Sequence, residues 1–168
     1  LSETIFVQPP DDPAHTAKVR IFFPTAEIPF AGHPTIGCAI HLAQKRNGPG
    51  DFSDLITLEE VAGLVPVTVT RTGGRLRAEF TAPKLPLPHP GLVDSALIAA
   101  ALGLDSAEIG FNAHAPAIWA AGPDYLFVPV ASLEALARAR PAGAEFQHLA
   151  RQSSESVYVY TRGQDCDF

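Results

Sequence analysis

The sequence predicts an α+β protein in two pieces. Short runs of β-branched and aromatic residues, one pair joined by a glycine hairpin signal, are interspersed with isolated helical patterns. The proline-dense stretch Pro83-Lys84-Leu85-Pro86-Leu87-Pro88-His89-Pro90-Gly91 divides the chain. With 46% apolar residues among 168, there is material for packed cores, which excludes a disordered acidic tail.

Thr4-Ile5-Phe6-Val7 reads as a strand, stopped by Pro9-Pro10-Asp11-Asp12-Pro13. Lys18-Val19-Arg20-Ile21-Phe22-Phe23 alternates polar and apolar residues up to Pro24 and predicts a second, half-buried strand. From Pro34 the spacing changes. Ile36, Ala39, Ile40 and Ala43 recur at helical intervals, Lys45-Arg46 suit the last turn, and Asn47-Gly48-Pro49-Gly50 ends the helix. Proline in the first turn fits a start at His33 or Pro34.

Leu55-Ile56-Thr57-Leu58 and Leu64 to Thr70 follow as strands, and Thr72-Gly73-Gly74 predicts a hairpin into Arg75 to Phe80. Pro66 would interrupt a central ladder, so its strand is expected at an edge or with a bulge. The proline-dense stretch is extended and semi-rigid, which places the boundary near residue 88, with pieces 1–88 and 89–168. Beyond it, Asp94 or Ser95 caps a helix through Leu102, with Gly103 as its stop. Ala117 to Ala120 and Tyr125 to Val130 read as strands around Gly122-Pro123-Asp124. Ser132 opens a helix over Leu133 to Ala139, and Val157 to Tyr160 is the last strand.

Composition narrows the function. Twelve Lys and Arg against 18 Asp and Glu give a net charge of −6, the wrong sign for a general nucleic-acid binder. No apolar run approaches the roughly 20 residues that span a bilayer, and no signal segment opens the chain. Two cysteines, Cys38 and Cys166, make no disulfide framework, so a reduced cytoplasmic setting is the default. The chain contains no methionine, so Leu1 reads as the interior of a longer protein.

One segment concentrates polar groups against apolar ones. Glu27-Ile28-Pro29-Phe30-Ala31-Gly32-His33-Pro34-Thr35 sets an apolar loop against a helix N-terminus, whose unsatisfied amides favour an anion such as a carboxylate. Gly32 permits close approach of a ligand to the backbone, and His33 can hold or donate a proton near neutral pH. The bland reading of the same residues is a loop and a helix cap.

The run Ile28-Pro29-Phe30-Ala31-Gly32-His33-Pro34-Thr35-Ile36-Gly37 resembles the signature of the PhzF-like isomerase family. Leu1-Ser2-Glu3-Thr4-Ile5-Phe6, Gly63 to Val67, Ala78 to Pro83 and Phe127 to Val130 follow in that family's order, so the resemblance covers nearly the whole chain. It implies the diaminopimelate epimerase-like fold: two similar α+β domains, each a curved mixed sheet around a central helix, with the active site between them. It also implies roles. Glu3 would be the acid/base that moves a proton, and His33 would orient substrate or assist. Gly32 would bind the substrate carboxylate, and His33, Pro34 and Thr35 would complete the substrate-binding set. A carboxyl group in an apolar cleft has a raised pKa and can both take and return a proton.

The chain departs from the pattern too. The family's second signature, an acidic-Asp-Pro-Ala-Thr-Gly-Ser run, is absent, and the sequence closes at Asp165-Cys166-Asp167-Phe168. The expectation is a chain truncated at both ends that lacks part of its site. Cys38 lies more than one turn into the helix and is expected buried and inert, which disfavours two-thiol racemase chemistry; Cys166 near the end is expected exposed. The remaining histidines show no zinc spacing, and no nucleotide loop or serine elbow occurs. The reading is a cofactor-independent isomerase of a small carboxylate-bearing metabolite, with no metal, acting as a homodimer. The alternatives are a binding protein of the same fold that does no chemistry, or an inactive fragment.

Overall fold

The computed structural model describes residues 3–163, so the expectation for Cys166 lies outside the described residues. The chain forms two compact units, residues 1–85 with 121–123, and residues 86–120 with 124–168.

The first unit contains the strands β1 (Thr4–Gln8), β2 (Ala17–Phe22), β3 (Glu27–Ile28), β4 (Phe52–Glu60), β5 (Gly63–Thr72) and β6 (Arg75–Phe80), with helix α1 (Gly32–Asn47). They make one sheet in the order β1-β2-β4-β5-β6, with β3 also paired to β2. β2 and β4 run parallel through only two pairs, Ala17↔Leu58 and Lys18↔Glu59. All other neighbours are antiparallel. Helix α1 packs its Cys38, Ala39 and Ala43 against Val19, Ile56, Leu58, Val65, Val67 and Val69. Ile36, Ile40 and Leu42 also pack on this core, so apolar residues on several faces of the helix meet the sheet. The α+β mixture and a helix packed on a mixed sheet agree with the predicted architecture.

The elements differ from expectation at definable points. β4 and β5 are longer than predicted, because their antiparallel register runs unbroken from Phe52↔Arg71 to Glu60↔Gly63. β5 is central rather than an edge strand, and it carries Pro66 without a bulge. Pro66 pairs with Thr57 on the β4 side, while its carbonyl accepts Thr81 N–H at 3.4 Å on the β6 side. The missing N–H therefore faces beyond Val67↔Phe80, the last pair with β6, where the ladder requires no donor. Gly73 and Gly74, at φ of 57° and 80°, make the predicted tight hairpin. Helix α1 begins at Gly32, slightly before the predicted start, with Pro34 still inside the first turn.

The second unit holds β7 (Leu87–Pro88), helix α2 (Ser95–Leu102), a 3-10 turn (Ser106–Glu108), β8 (Ala117–Ala120), β9 (Asp124–Pro129), helices α3 (Leu133–Arg138) and α4 (Gly143–Gln152), and β10 (Val157–Tyr160). Its sheet runs β10-β9-β8-β7, with β10 parallel to β9. Ile98 and Leu102 of α2 and Leu149 of α4 pack on Ile118, Leu126 and Val128. Asp94 caps α2 through the Ala96 and Leu97 amides, and Gly103 closes it at φ 67°. Part of the proline-dense stretch is therefore a short strand, β7, rather than a bare linker. Among the described residues, no helix is long and apolar enough to cross a membrane.

Candidate active site

The candidate site is built where β3 runs through Pro29, Phe30 and Ala31 into α1. Ala31 is extended, at φ −151° and ψ 134°, and offers no side-chain cap. In the first turn the Gly32 and His33 amides have no intrahelical acceptor, Pro34 has no N–H, and Thr35 N–H reaches back to the Ala31 carbonyl at 3.3 Å. Two donors thus stand together at the positive end of a 16-residue helix whose far end carries Lys45 and Arg46. The rings of Phe30 and Phe80 meet edge to face, 5.4 Å between centroids. Phe80 also borders Gly32, since a Cβ built there would lie 3.7 Å from its ring. His33 is exposed and Pro34 half-buried.

Glu3 precedes β1 and is half-buried. Register brings it to the same end of the sheet as the helix start. Thr4 pairs with Phe22 from one side, and Glu27 pairs with Phe22 from the other. Five residues after Glu27, α1 begins. The two-residue period of a strand also puts Glu3 on the face of Ile5, which packs on the core that holds α1.

Thr35 is fully buried. Its hydroxyl oxygen lies 2.7 Å from the Ala31 carbonyl oxygen and 2.6 Å from Glu60 Oε1. It therefore faces the interior rather than a ligand, and any contribution it makes to the site runs through those partners. Glu60 itself was not singled out by the sequence reading. It is 8% exposed at the end of β4, and burial pushes its carboxyl up to about 7, against the smaller lowering effect of the Thr35 hydroxyl. A signal was available: Ile56, Leu58 and Glu60 share one face by strand period, and the first two are core residues. Cys38 is buried, as its place in the helix predicts, and its thiol is pushed up to about 11 by burial first and by Glu60 second.

Glu59, the residue before Glu60, does structural work. Glu59 accepts the Asp11 and Asp12 amides at 2.8 and 2.9 Å and meets His15 Nδ1 at 2.8 Å. These bonds hold it down at about 2 and fasten the proline-rich loop to β4. Lys18 pairs with Asp11, and Arg20 with Glu27 in a two-pronged contact. Asp11, His15, Lys18, Arg20 and Glu59 line a groove of about 740 Å³ that also reaches Glu60. Among the described residues, no three His, Cys, Asp or Glu side chains gather as a metal site would require.

Comparison with known proteins gives one consistent family. The model of a family described as phenazine biosynthesis-like proteins matches residues 1–168. The chain is 47% identical over 166 residues to an uncharacterized isomerase of Mesorhizobium japonicum, covering 96% of this chain and 54% of that protein. It is 33% identical over 142 residues to a trans-2,3-dihydro-3-hydroxyanthranilate isomerase of Pseudomonas aeruginosa, covering 84% and 46%. The chain thus spans about half the length of the curated relatives it matches. Among solved structures, one described as a predicted epimerase from Pseudomonas aeruginosa superposes with a TM-score of 0.70 at 31% identity, over 95% of this chain and 54% of that one. A hydroxyproline epimerase from Agrobacterium vitis superposes at 0.53 with 17% identity, over 80% and 36%, and shares the fold.

Proposed function

The chain belongs to the phenazine biosynthesis-like protein family, and on that premise we propose that it carries the carboxylate-binding turn and the proton-transfer group of a cofactor-independent isomerase. The observation that supports this best is the uncapped start of α1, where the Gly32 and His33 amides converge beside Phe30 and Phe80. The register that brings Glu3 to the same end of the sheet supports it further.

In this reading the substrate carboxylate binds at the two amides, where the helix dipole and the amide dipoles meet it together. The apolar rings exclude water and keep that interaction strong. Glu3 takes a proton from a carbon beside an activating group and returns it elsewhere on the same molecule. Charge that builds up between those steps is stabilised by donors already in place, each typically worth about 3 kcal/mol. His33, on the same turn, orients the substrate or assists the transfer. The substrate is a small carboxylate-bearing metabolite, the protein resides in the cytoplasm, and it works as a homodimer. Pairing is favoured by Phe6 and Val7, which are 54% and 49% exposed on β1, and sedimentation across micromolar concentrations tests it.

The decisive experiment offers trans-2,3-dihydro-3-hydroxyanthranilate, the compound named in the relative's activity, in deuterated water and follows deuterium incorporation by NMR. Glu3→Gln is expected to keep binding and lose incorporation, whereas His33→Ala weakens both. Unchanged incorporation in Glu3→Gln overturns the assignment. Binding without incorporation in the unaltered protein favours the binding-protein reading instead.

A further inference from the structure

Thr35 Oγ1 sits within hydrogen-bond distance of two acceptor oxygens, Ala31 O at 2.7 Å and Glu60 Oε1 at 2.6 Å. A hydroxyl carries one proton, so it donates to only one of them. If it donates to Ala31, the short contact with Glu60 requires a proton on the carboxyl group, which then donates to Thr35. Glu60 Oε2 points the same way: it is buried and meets no hydrogen-bond partner among the described residues. A bare carbonyl oxygen of a neutral acid is tolerable there, whereas a bare carboxylate oxygen is far more costly.

The charged groups around Glu60 do not compensate it. On α1 it faces Thr35 and the thiol of Cys38. Its neighbour Glu59 is turned to the Asp11 and Asp12 amides and to His15. The cations of the adjoining groove, Lys18 and Arg20, are paired with Asp11 and Glu27. His33 stands on the first turn of α1, at the end of the helix where Thr35 also lies.

We propose that Glu60 is a positioning residue acting in its protonated form: it donates to Thr35, Thr35 donates to the Ala31 carbonyl, and this relay fixes and polarises the Ala31–Gly32 peptide. That peptide holds the Ala31 carbonyl and the Gly32 N–H in one plane. A donor on the carbonyl end makes the N–H a stronger donor at the other end. Ionisation of Glu60 turns the Thr35 hydroxyl toward the new carboxylate. The Ala31 carbonyl then keeps only the longer Thr35 N–H contact at 3.3 Å, and a negative charge stands behind the turn. Burial, which raises the carboxyl group's pKa, puts this change near neutral pH. The relay's effect on ligands rests on the anion site proposed above.

The test uses the full chain, isotope-labelled, with sulfate as the probe. The Glu60 carboxyl carbon and the Gly32 amide are followed by NMR from about pH 5 to pH 9, a range that brackets the Glu60 midpoint. Part of the Gly32 shift is expected to share the Glu60 midpoint. Glu60→Gln keeps a donor toward Thr35 and removes that part. Thr35→Val leaves Glu60 titrating while Gly32 no longer follows it; Thr35→Ser restores the coupling. At about pH 8.5, Glu60→Gln is expected to bind sulfate about fivefold more tightly than the unaltered protein, the lower end of ordinary coupling between sites. A Gly32 amide that ignores the Glu60 titration overturns the relay, as does a Glu60→Gln protein with the original pH profile. If Gly32 follows Glu60 but sulfate binds at no pH, the relay stands and the anion site falls.

Discussion

Replacing Glu60 by glutamine should reverse its effect on stability between acid and alkaline pH. The native carboxyl group titrates at about 7, against an ordinary 4.5. The folded protein therefore holds this proton more tightly than the unfolded chain does. Stability from this group is complete below about pH 4.5, falls as pH rises, and is lost once pH passes about 7. At about 1.4 kcal/mol for each tenfold displacement, the loss amounts to about 3 kcal/mol. Glutamine has no proton to lose, but its amide brings a second N–H into a pocket with no evident acceptor, a cost of about 1 kcal/mol. Near pH 5 the variant should be the less stable protein by about 1 kcal/mol, and near pH 8.5 the more stable by about 2 kcal/mol. The assay must read the first unit. Trp119 and all three tyrosines belong to the second, so urea unfolding is followed by the methyl resonances of Val65, Val67 and Val69. A difference that stays constant with pH, or a variant less stable throughout, refutes the account of a neutral buried acid.

Gly32→Ala should fold normally, because the added carbon would make ordinary contact with Phe80 at 3.7 Å. It should also crowd the amides and weaken sulfate binding in a calorimetric titration; unchanged affinity would move the anion elsewhere. Cys38, with its thiol pushed up from 9.0 to about 11, should react with iodoacetamide about a hundredfold more slowly in the native protein than in urea near pH 8. That measurement is made on a Cys166→Ser background, and fast native labelling contradicts the burial. Glu59→Gln should speed amide exchange at Asp11 and Asp12, which donate to it. In the unaltered protein this clamp should survive acid well below pH 4.5 and loosen only as pH falls toward about 2.

Local chemistry made much of this molecule legible. The alternation in β2, the Gly73-Gly74 hairpin and the Asp94 and Gly103 caps are decided within a few residues, so sequence reading finds them. The uncapped turn at Gly32 and His33 was legible for the same reason, helped by a run specific to one family. What escaped depends on neighbours remote in sequence. Pro66 looked like an edge residue because the side on which β6 stops cannot be read locally. Glu60 went unnoticed because strand period alone sends Glu59 to the loop and Glu60 to the core, where its partner Thr35 is 25 residues away in sequence. Thr35 was expected at the ligand because the motif names it, although the helix turns it inward.

The two-pair seam between β2 and β4 bears on how the first unit comes together. β4, β5 and β6 form a meander whose partners are close in sequence, so little chain entropy opposes it. Closing β2 onto β4 joins segments 41 residues apart, as at Thr16 and Thr57, and returns only a short ladder. The meander can therefore nucleate first and α1 dock on it, with the strands before α1 zipping on last. Those late strands include β1, at whose start Glu3 stands. The carboxyl group proposed as the proton carrier would thus ride on the part of the sheet that closes last, while the turn proposed to bind the carboxylate is set earlier.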